Sequence, residues 1–485
     1  MLAIPLNPNL TRPLYLQIAD HITALARAGQ LQAEQRLPSS RQLAEHLNLH
    51  RSTIVTAFDE LRARGIIQTL HGSGSYICSG LFDQTLQAPQ PQALITPTLA
   101  NDQLIAELWR LNHAEGMISL ALGVPAPDMF PSQRFAQLQQ RIARRNPQTA
   151  WNYTHPQGFY PLRQAIANDL ARHGIQTSAE QLIITNGANE AINLVTQALA
   201  VAGDSGLIEE PSFHTTLLNL QQAGIRLNGF AVSHNGPDWA SLNAALHTGS
   251  SHPRFILVVP DYHNPTGMRW ASDQRYQLLN WANQQAIPII EDATYSDLGL
   301  TGPSQPALRA FDPNVIYIGS YSKSLMPGLR IGFIVANGLL QQQLVSLKTI
   351  TSGSNESFSQ QMLAEYLHAG EYHEQLAWVT DIYKQRRDAL LEAIQRYLPA
   401  EVQATIADGG FYSWLSLPAD QPVMRLFQRA LQRGIVIFPG QAFYLNQANP
   451  THNAIRLCFA RYSEEVLTHA VRLLGSCFEQ STHSA

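Results

Sequence analysis

Lysine is nearly absent from this sequence. Of 32 basic residues only Lys323, Lys348 and Lys384 are lysines. Arginine does not lose its proton in a protein, so any task that needs a free amine falls to one of these three positions. Cysteine is equally scarce. Cys78, Cys458 and Cys477 are odd in number and far apart, which excludes a disulfide framework, argues against a cysteine zinc site and suits a reducing cytosol. No apolar run approaches the ~20 residues of a membrane span, and the first residues lack a charged-then-apolar export pattern. A soluble cytoplasmic protein is expected. Lys and Arg together number 32 against 36 Asp and Glu, a net charge of −4, so the chain as a whole is not a polycation built for nucleic acid. Internal repeats and low-complexity tracts are absent too. What remains is 485 residues, 45% of them hydrophobic, enough for two to four domains at roughly 100–200 residues each.

Residues 1–80 read as a separate small unit. Leu14, Ile18, Ile22 and Leu25 recur at helical spacing over 13–27. Ser39 with Gln42 three residues later forms a capping box for a second helix, whose Leu43, Ala44 and Leu47 make an apolar stripe. A break at Asn48-Leu49-His50 leads to a third helix from Arg51 to Arg64, with Ile54, Val55, Phe58 and Leu61 on one face. Residues 66–70 and 75–77 then flank His71-Gly72-Ser73-Gly74, a strand–turn–strand signal. Two short helices, a tight turn and a hairpin describe an α+β winged helix-turn-helix. Its last helix suits a major groove, with Arg51, Ser52 and Thr53 at the end that faces the bases and Arg41 at the start of the preceding helix. His71 and Gly72 fall at the wing tip. Seven Arg against five acids give this unit +2, against −6 for the rest.

Residues 81–112 are polar and proline-containing and read as a partly extended linker whose last residues can form a helix. From 113 to 480 the pattern becomes α/β. Short apolar runs at 182–184, 255–259, 287–290 and 315–318 look like buried strands and alternate with amphipathic stretches such as 187–201 and 272–286, as in a mostly parallel sheet. Helical 374–397 with strand-like 411–417 and 454–459 suggests a smaller C-terminal α+β lobe.

Of the three lysines, Lys323 has the most suggestive setting. It follows strand 315–318, at the end where α/β sheets bind ligands. Ser320 and Ser322 before it and Arg330 after it are suited to hold a phosphate while the amine forms an imine. Asp292 follows strand 287–290, where its carboxylate can pair with a protonated pyridine nitrogen. Tyr295 and Asn264, in Asn264-Pro265-Thr266-Gly267, can bond a ring hydroxyl. Gly187-Ala188-Asn189 offers backbone N–H groups to a phosphate between a strand and a helix, and Phe213 can stack on a ring. Each signal is weak alone; their shared position at strand ends is not.

Two resemblances follow from these residues. The run from Pro13-Leu14-Tyr15 through Leu37-Pro38-Ser39-Ser40-Arg41, Arg51-Ser52-Thr53 and Gly72-Ser73-Gly74 closely resembles the DNA-binding domain of the GntR family of bacterial repressors. It implies that Arg41, His50, Arg51, Ser52, Thr53, His71 and Gly72 lie at double-stranded operator DNA. The segments from about 117 to 475 resemble fold-type I aminotransferases of class I. That resemblance implies pyridoxal 5′-phosphate joined to Lys323, with Asp292, Asn264, Tyr295, Phe213, Gly187, Ala188, Asn189, Ser320, Ser322 and Arg330 around it. It also implies that Tyr153 reaches the phosphate of a neighbouring subunit, hence a homodimer, and that Arg456 clamps a ligand carboxylate. The fusion resembles the MocR subfamily of transcriptional regulators. The expected function is therefore regulation of transcription in response to an amino compound, or to the cofactor itself, by exchange at Lys323. A working aminotransferase with an accessory DNA-binding unit is the alternative, since Lys323, Asp292, Tyr295 and Arg456 are all present.

Overall fold

The computed structural model describes residues 4–6, 13–27, 31–32, 34–63, 66–70, 74–78, 101–145, 147–249, 251–446 and 453–479. The chain divides into two compact units, Met1–Leu94 and Ile95–Ala485.

In the first unit α1 (Leu14–Arg27), α2 (Ser40–Leu47) and α3 (Arg51–Ala63) precede a hairpin of β1 (Ile67–Leu70) and β2 (Gly74–Ile77). Ile18, Ile22 and Ala26 of α1 bury against Leu43 and Ala44 of α2 and against Ile54, Ala57, Phe58 and Leu61 of α3. The α3 stripe differs by one position from the sequence expectation: Ala57 is buried and Val55 is 39% exposed. The strands pair antiparallel with Ile67 opposite Ile77 and Leu70 opposite Gly74. The capping box is present, with Ser39 Oγ accepting from Gln42 N and Gln42 Oε1 accepting from Ser39 N at 3.0 Å. Asn48 ends α2 in the left-handed region at φ 53°, and this sharp stop turns the chain into α3. Losing the cap in Ser39→Ala should cost about 1 kcal/mol of local stability. Amide hydrogen exchange over residues 40–47 checks this; an unchanged rate would deny the cap its role.

The second unit starts earlier than its sequence pattern suggested. Residues assigned to the end of the linker form α4 (Asn101–Asn112), whose Leu104, Leu108 and Leu111 are buried with Phe427 and Phe438. The three leucines recur at helical spacing and so belong to this unit's core rather than to a connecting segment.

Among the described residues eight strands make its main sheet: β3 (Leu182–Thr185), β4 (Ser205–Glu210), β5 (Arg226–Ser233), β6 (Gly236–Pro237), β7 (Ile256–Val258), β8 (Ile289–Asp292), β9 (Ile316–Ser320) and β10 (Gly332–Val335). Their spatial order is β3-β10-β9-β8-β7-β4-β5-β6. The run from β9 through β8, β7 and β4 to β5 is parallel. β10 lies antiparallel between β9 and β3, and β6 is antiparallel to β5. The central strands are mainly apolar because both faces are covered. Ile183, Ile318 and Ile334 pack with Val195 and Leu344 on one side. Ile184, Tyr317 and Phe333 pack with Ile166 and Leu363 on the other. A smaller lobe carries a second sheet of β11 (Gln403–Ala404), β12 (Tyr412–Ser416), β13 (Phe438–Pro439) and β14 (Ala454–Cys458), in the order β11-β12-β14-β13. The helix Glu371–Tyr397 precedes that lobe in the chain.

Candidate functional site

Because β3, β4, β7, β8 and β9 run the same way, the residues after them meet at one edge of the sheet. Ala188, Asn189, Phe213, Asn264, Asp292, Tyr295, Ser320, Ser322 and Lys323 all line one cavity of about 270 Å³, joined by Arg330 and Arg456. The sequence pattern had singled out all of these except Arg456, which only the resemblance to aminotransferases implied. Ten more wall residues had no such signal, among them Trp109 on α4, Gly123, His214 and Tyr412.

Lys323 is half-buried and donates from Nζ to the Gly123 carbonyl at 2.8 Å. Burial pushes its pKa down to about 8, and the positive charges of Arg456 and Arg330 push the same way. Asp292, at the end of β8, accepts at Oδ1 from Thr294 N at 3.0 Å and from Thr294 Oγ1 at 2.6 Å. Both bonds use one oxygen, so Oδ2 remains for a donor in the cavity. Burial raises the pKa of Asp292, and the Thr294 bonds oppose that rise. The Tyr295 hydroxyl lies 3.1 Å from that of Tyr412, and burial holds its pKa well above the ordinary phenol value.

Arg330 donates from Nη2 to the Asn186 carbonyl at 2.8 Å, bringing the guanidinium to the loop after β3. Gly187 caps the helix Ala188–Leu199 at φ 80° with no side-chain cap. A Cβ there would stand 2.8 Å from Arg330 Nη2, so only glycine lets the arginine and the helix N-terminus approach this closely. The amides of a helix's first turn have no partner within the helix. Ser322 Oγ is buried without a hydrogen-bond partner, while Ser320 Oγ accepts from Ser322 N at 3.2 Å. Unpaired donors and a guanidinium make an anion site.

Arg456, at the middle of β14, is 1% exposed. It donates from Nη1 to Asn264 Oδ1 and from Nη2 to the Ala121 carbonyl, both at 2.7 Å. The rings of Tyr412, Phe438 and Phe443 lie 3.9, 4.7 and 4.8 Å from its guanidinium carbon. Its Nε has no partner, and among the described residues it forms no salt bridge. A buried cation held by neutral groups alone is set up to receive an anion.

Tyr153 stands apart. It is 93% exposed and outside the cavity wall, two residues from Trp151 at 75%. In the first unit Arg41, His50, Arg51 and Ser52 are exposed and Thr53 is half-buried. His50 sits just before α3, its Nδ1 2.6 Å from Ser52 Oγ and accepting from Ser52 N at 3.4 Å. Arg51 Nε donates to Ser40 Oγ at 3.5 Å, tying the start of α3 to α2. His71 and Gly72 lie outside the described residues. Among the described residues no helix is long and apolar enough to cross a membrane.

Comparison with known proteins matches both units. Residues 14–77 match the family of bacterial regulatory proteins, gntR family, and residues 115–474 match aminotransferase class I and II. The uncharacterized HTH-type transcriptional regulator YdfD of Bacillus subtilis (strain 168) is 29% identical over 471 residues, covering 96% of each chain. The 2-aminoadipate transaminase of Thermus thermophilus is 32% identical over 376 residues, or 76% of this chain and 92% of that one. The crystal structure of LysN, the α-aminoadipate aminotransferase of Thermus thermophilus complexed with N-(5′-phosphopyridoxyl)-L-leucine, superposes with a TM-score of 0.73 at 30% identity. It covers 80% of this chain and 96% of its own. The regulator is matched over 96% of this chain and the transaminase over 76%. The chain belongs to the aminotransferase class I and II family and carries that domain behind a gntR-type reader, the layout of the MocR subfamily of transcriptional regulators.

Proposed function

We propose that the chain is a transcriptional regulator that binds operator DNA through its first unit and holds pyridoxal 5′-phosphate at Lys323 in its second. An amino compound, or the cofactor itself, then sets operator affinity. The observation that carries this reading is Lys323, an amine depressed to a pKa of about 8 in the same cavity as the Asp292 carboxylate and the Arg456 guanidinium. The donor set fits the cofactor. The orphaned Ser322 hydroxyl, the Arg330 guanidinium and the bare N-terminus at Gly187 suit a phosphate. When bound, the cofactor supplies an aldehyde that joins amines reversibly and a ring that draws electrons from the attached carbon.

The chain's own residues divide the work. Ala188, Asn189, Ser320, Ser322 and Arg330 bind the phosphate, and Asp292 keeps a proton on the ring nitrogen through Oδ2. Asn264 and Tyr295 bond the ring oxygen, Phe213 lies against the ring, and Arg456 takes a carboxylate. Tyr153, too exposed to serve its own chain's cavity, completes the phosphate site of a second copy in a homodimer. Two readers on one dimer suit a repeated or palindromic operator. Trp109 supports a regulatory role. It lies in the cavity wall on α4, the first described element after the connecting segment. A ligand touching it therefore acts where the chain leaves for the reader, provided that it binds the two arrangements unequally.

Neutral amine at Lys323 increases as pH rises through 8. Capture of pyridoxal phosphate by the cofactor-stripped chain should therefore accelerate with a midpoint near 8, against 10.5 for an ordinary lysine. A midpoint at the ordinary value would contradict the burial argument. At the DNA, Arg51→Ala should weaken operator binding by about 1–3 kcal/mol if it reads a base. Fluorescence anisotropy at fixed salt measures this, and a uniform loss on unrelated DNA would demote Arg51 to a phosphate contact. The reading as a whole is tested by operator binding of the loaded chain with and without a panel of amines, and of the stripped chain. Binding indifferent to both would refute it.

The second reading is a working aminotransferase, favoured by the complete set of Lys323, Asp292, Tyr295 and Arg456 in one cavity. Release of keto acid over many turnovers from ordinary amino donors would establish it. A single half-reaction or a stalled complex would favour the sensor.

A further inference from the structure

We propose that Glu190 and Lys348 are positioning residues that brace the phosphate-binding loop at Asn186–Gly187, with Lys348 keeping the Glu190 charge from opposing the phosphate. This rests on the reading above, in which Arg330 and the helix N-terminus at Gly187 take the phosphate of the cofactor. Neither Glu190 nor Lys348 lines the cavity.

A carboxylate is an unexpected neighbour for a phosphate. Glu190 is the third residue of the helix Ala188–Leu199, in the same first turn whose amides have no partner within the helix. Left free, its charge would compete for the positive end of that helix and repel an anion bound there. Its two oxygens are instead committed. Oε2 accepts from the Asn186 backbone N–H, and Oε1 accepts from Ser352 Oγ at 2.5 Å and from Lys348 Nζ at 3.5 Å. Asn186 is thereby held at both backbone groups, since its carbonyl accepts from Arg330 Nη2 at 2.8 Å. Thr185 Oγ1 adds a bond to the Gly187 carbonyl at 3.0 Å.

Lys348 comes from another element. It lies on the helix Gly338–Thr351, one turn after Leu344, which packs with Val195 of the Ala188–Leu199 helix. That spacing puts Lys348 on the buried face, where it is 0% exposed. Its Nζ also donates to Ser352 Oγ at 3.2 Å. Burial pushes the pKa of the Lys348 amine down, and Glu190 opposes that fall. Burial would raise the pKa of Glu190, but the bonds from Ser352 and Asn186 and the Lys348 charge outweigh it and hold the carboxyl below its usual value. A buried ion pair is seldom a net gain in stability over apolar packing. The loop that this pair holds gives it a purpose that packing does not.

The experiment titrates the cofactor-stripped full chain with pyridoxal 5′-phosphate and with pyridoxal, following the visible absorbance of each joined aldehyde. Pyridoxal lacks the phosphate, so a defect in the loop should spare it, whereas a general loss of structure should not. Lys348→Met should weaken pyridoxal phosphate binding by at least about tenfold, the scale of a hydrogen bond to a charged group, and pyridoxal binding far less. Adding Glu190→Gln removes the unpaired charge and keeps an oxygen for Asn186 N–H, so this double variant should regain most of the loss. Adding Glu190→Ala instead removes the acceptor as well and should regain little. If Lys348→Met alone does not fold, the two neutral double variants still differ at the Asn186 acceptor, and the one with Glu190→Gln should bind pyridoxal phosphate more tightly. Any contact from a second copy is common to all the variants and cancels in the comparison. Equal losses for the two aldehydes, or no difference between Glu190→Gln and Glu190→Ala, would overturn the inference and leave the cofactor reading standing. An unaltered chain that gave no absorbance change with pyridoxal phosphate would end the cofactor reading, and this inference with it.

Discussion

Lys323→Ala should abolish the visible absorbance of the loaded protein and, with it, every ligand-dependent change in operator affinity. The expected loss is complete because Lys348 and Lys384, the other two lysines, do not line the cavity. The structural cost should be small. Lys323 Nζ donates to the Gly123 carbonyl at 2.8 Å, so its removal leaves that acceptor unmet at about 1 kcal/mol. Unaltered affinity of the variant for operator DNA in the absence of ligand would show that the reader remains folded. Spectral titration and anisotropy on the same preparation give both readings. A variant that still responded to amines would separate sensing from this lysine.

The second large effect belongs to Arg456. Its guanidinium is fully buried, bonded to Asn264 and Ala121, and sheathed by three aromatic rings. Arg456→Met keeps much of the volume and removes the charge, which avoids leaving a buried cation of altered geometry. Affinity for amino acids should fall by about 2–5 kcal/mol, since a desolvated, hydrogen-bonded charge pair is lost. Amines without a carboxylate should lose far less. Arg456→Lys should restore only part of the difference, because an ammonium cannot offer the planar fork. Equal losses for amines with and without a carboxylate would mean that Arg456 shapes the cavity rather than clamping the ligand.

Much of this site was legible in the sequence because each part carries its own local mark. A glycine opening a helix at 187, a carboxylate ending an apolar run at 292, and a lysine between serines at 323 each follow a strand. Parallel strands deliver such residues to one edge without further information. Direction is harder to read. The apolar quartet Gly332–Val335 looks like any buried strand, and nothing in it shows that it runs antiparallel between β9 and β3. Tyr412 escaped notice because its role comes from pairing across strands, which places it opposite Cys458, two residues from Arg456. Gly123 contributes a carbonyl, which no side-chain pattern can announce. A helix at the end of residues 81–112 was expected, but the polar, proline-containing stretch before it hid that α4 belongs to the second unit and that Trp109 reaches the cavity wall. In the reader, Ala57 rather than Val55 lies on the buried face of α3, because 54, 57, 58 and 61 recur at three-to-four spacing and 55 does not.

The most direct test is chemical. Borohydride reduction of the loaded protein, followed by proteolysis and peptide mass mapping, should find a pyridoxyl group on the peptide containing Lys323 and on neither peptide containing Lys348 or Lys384. A modified Lys348 or Lys384, or no modified lysine at all, would contradict the account.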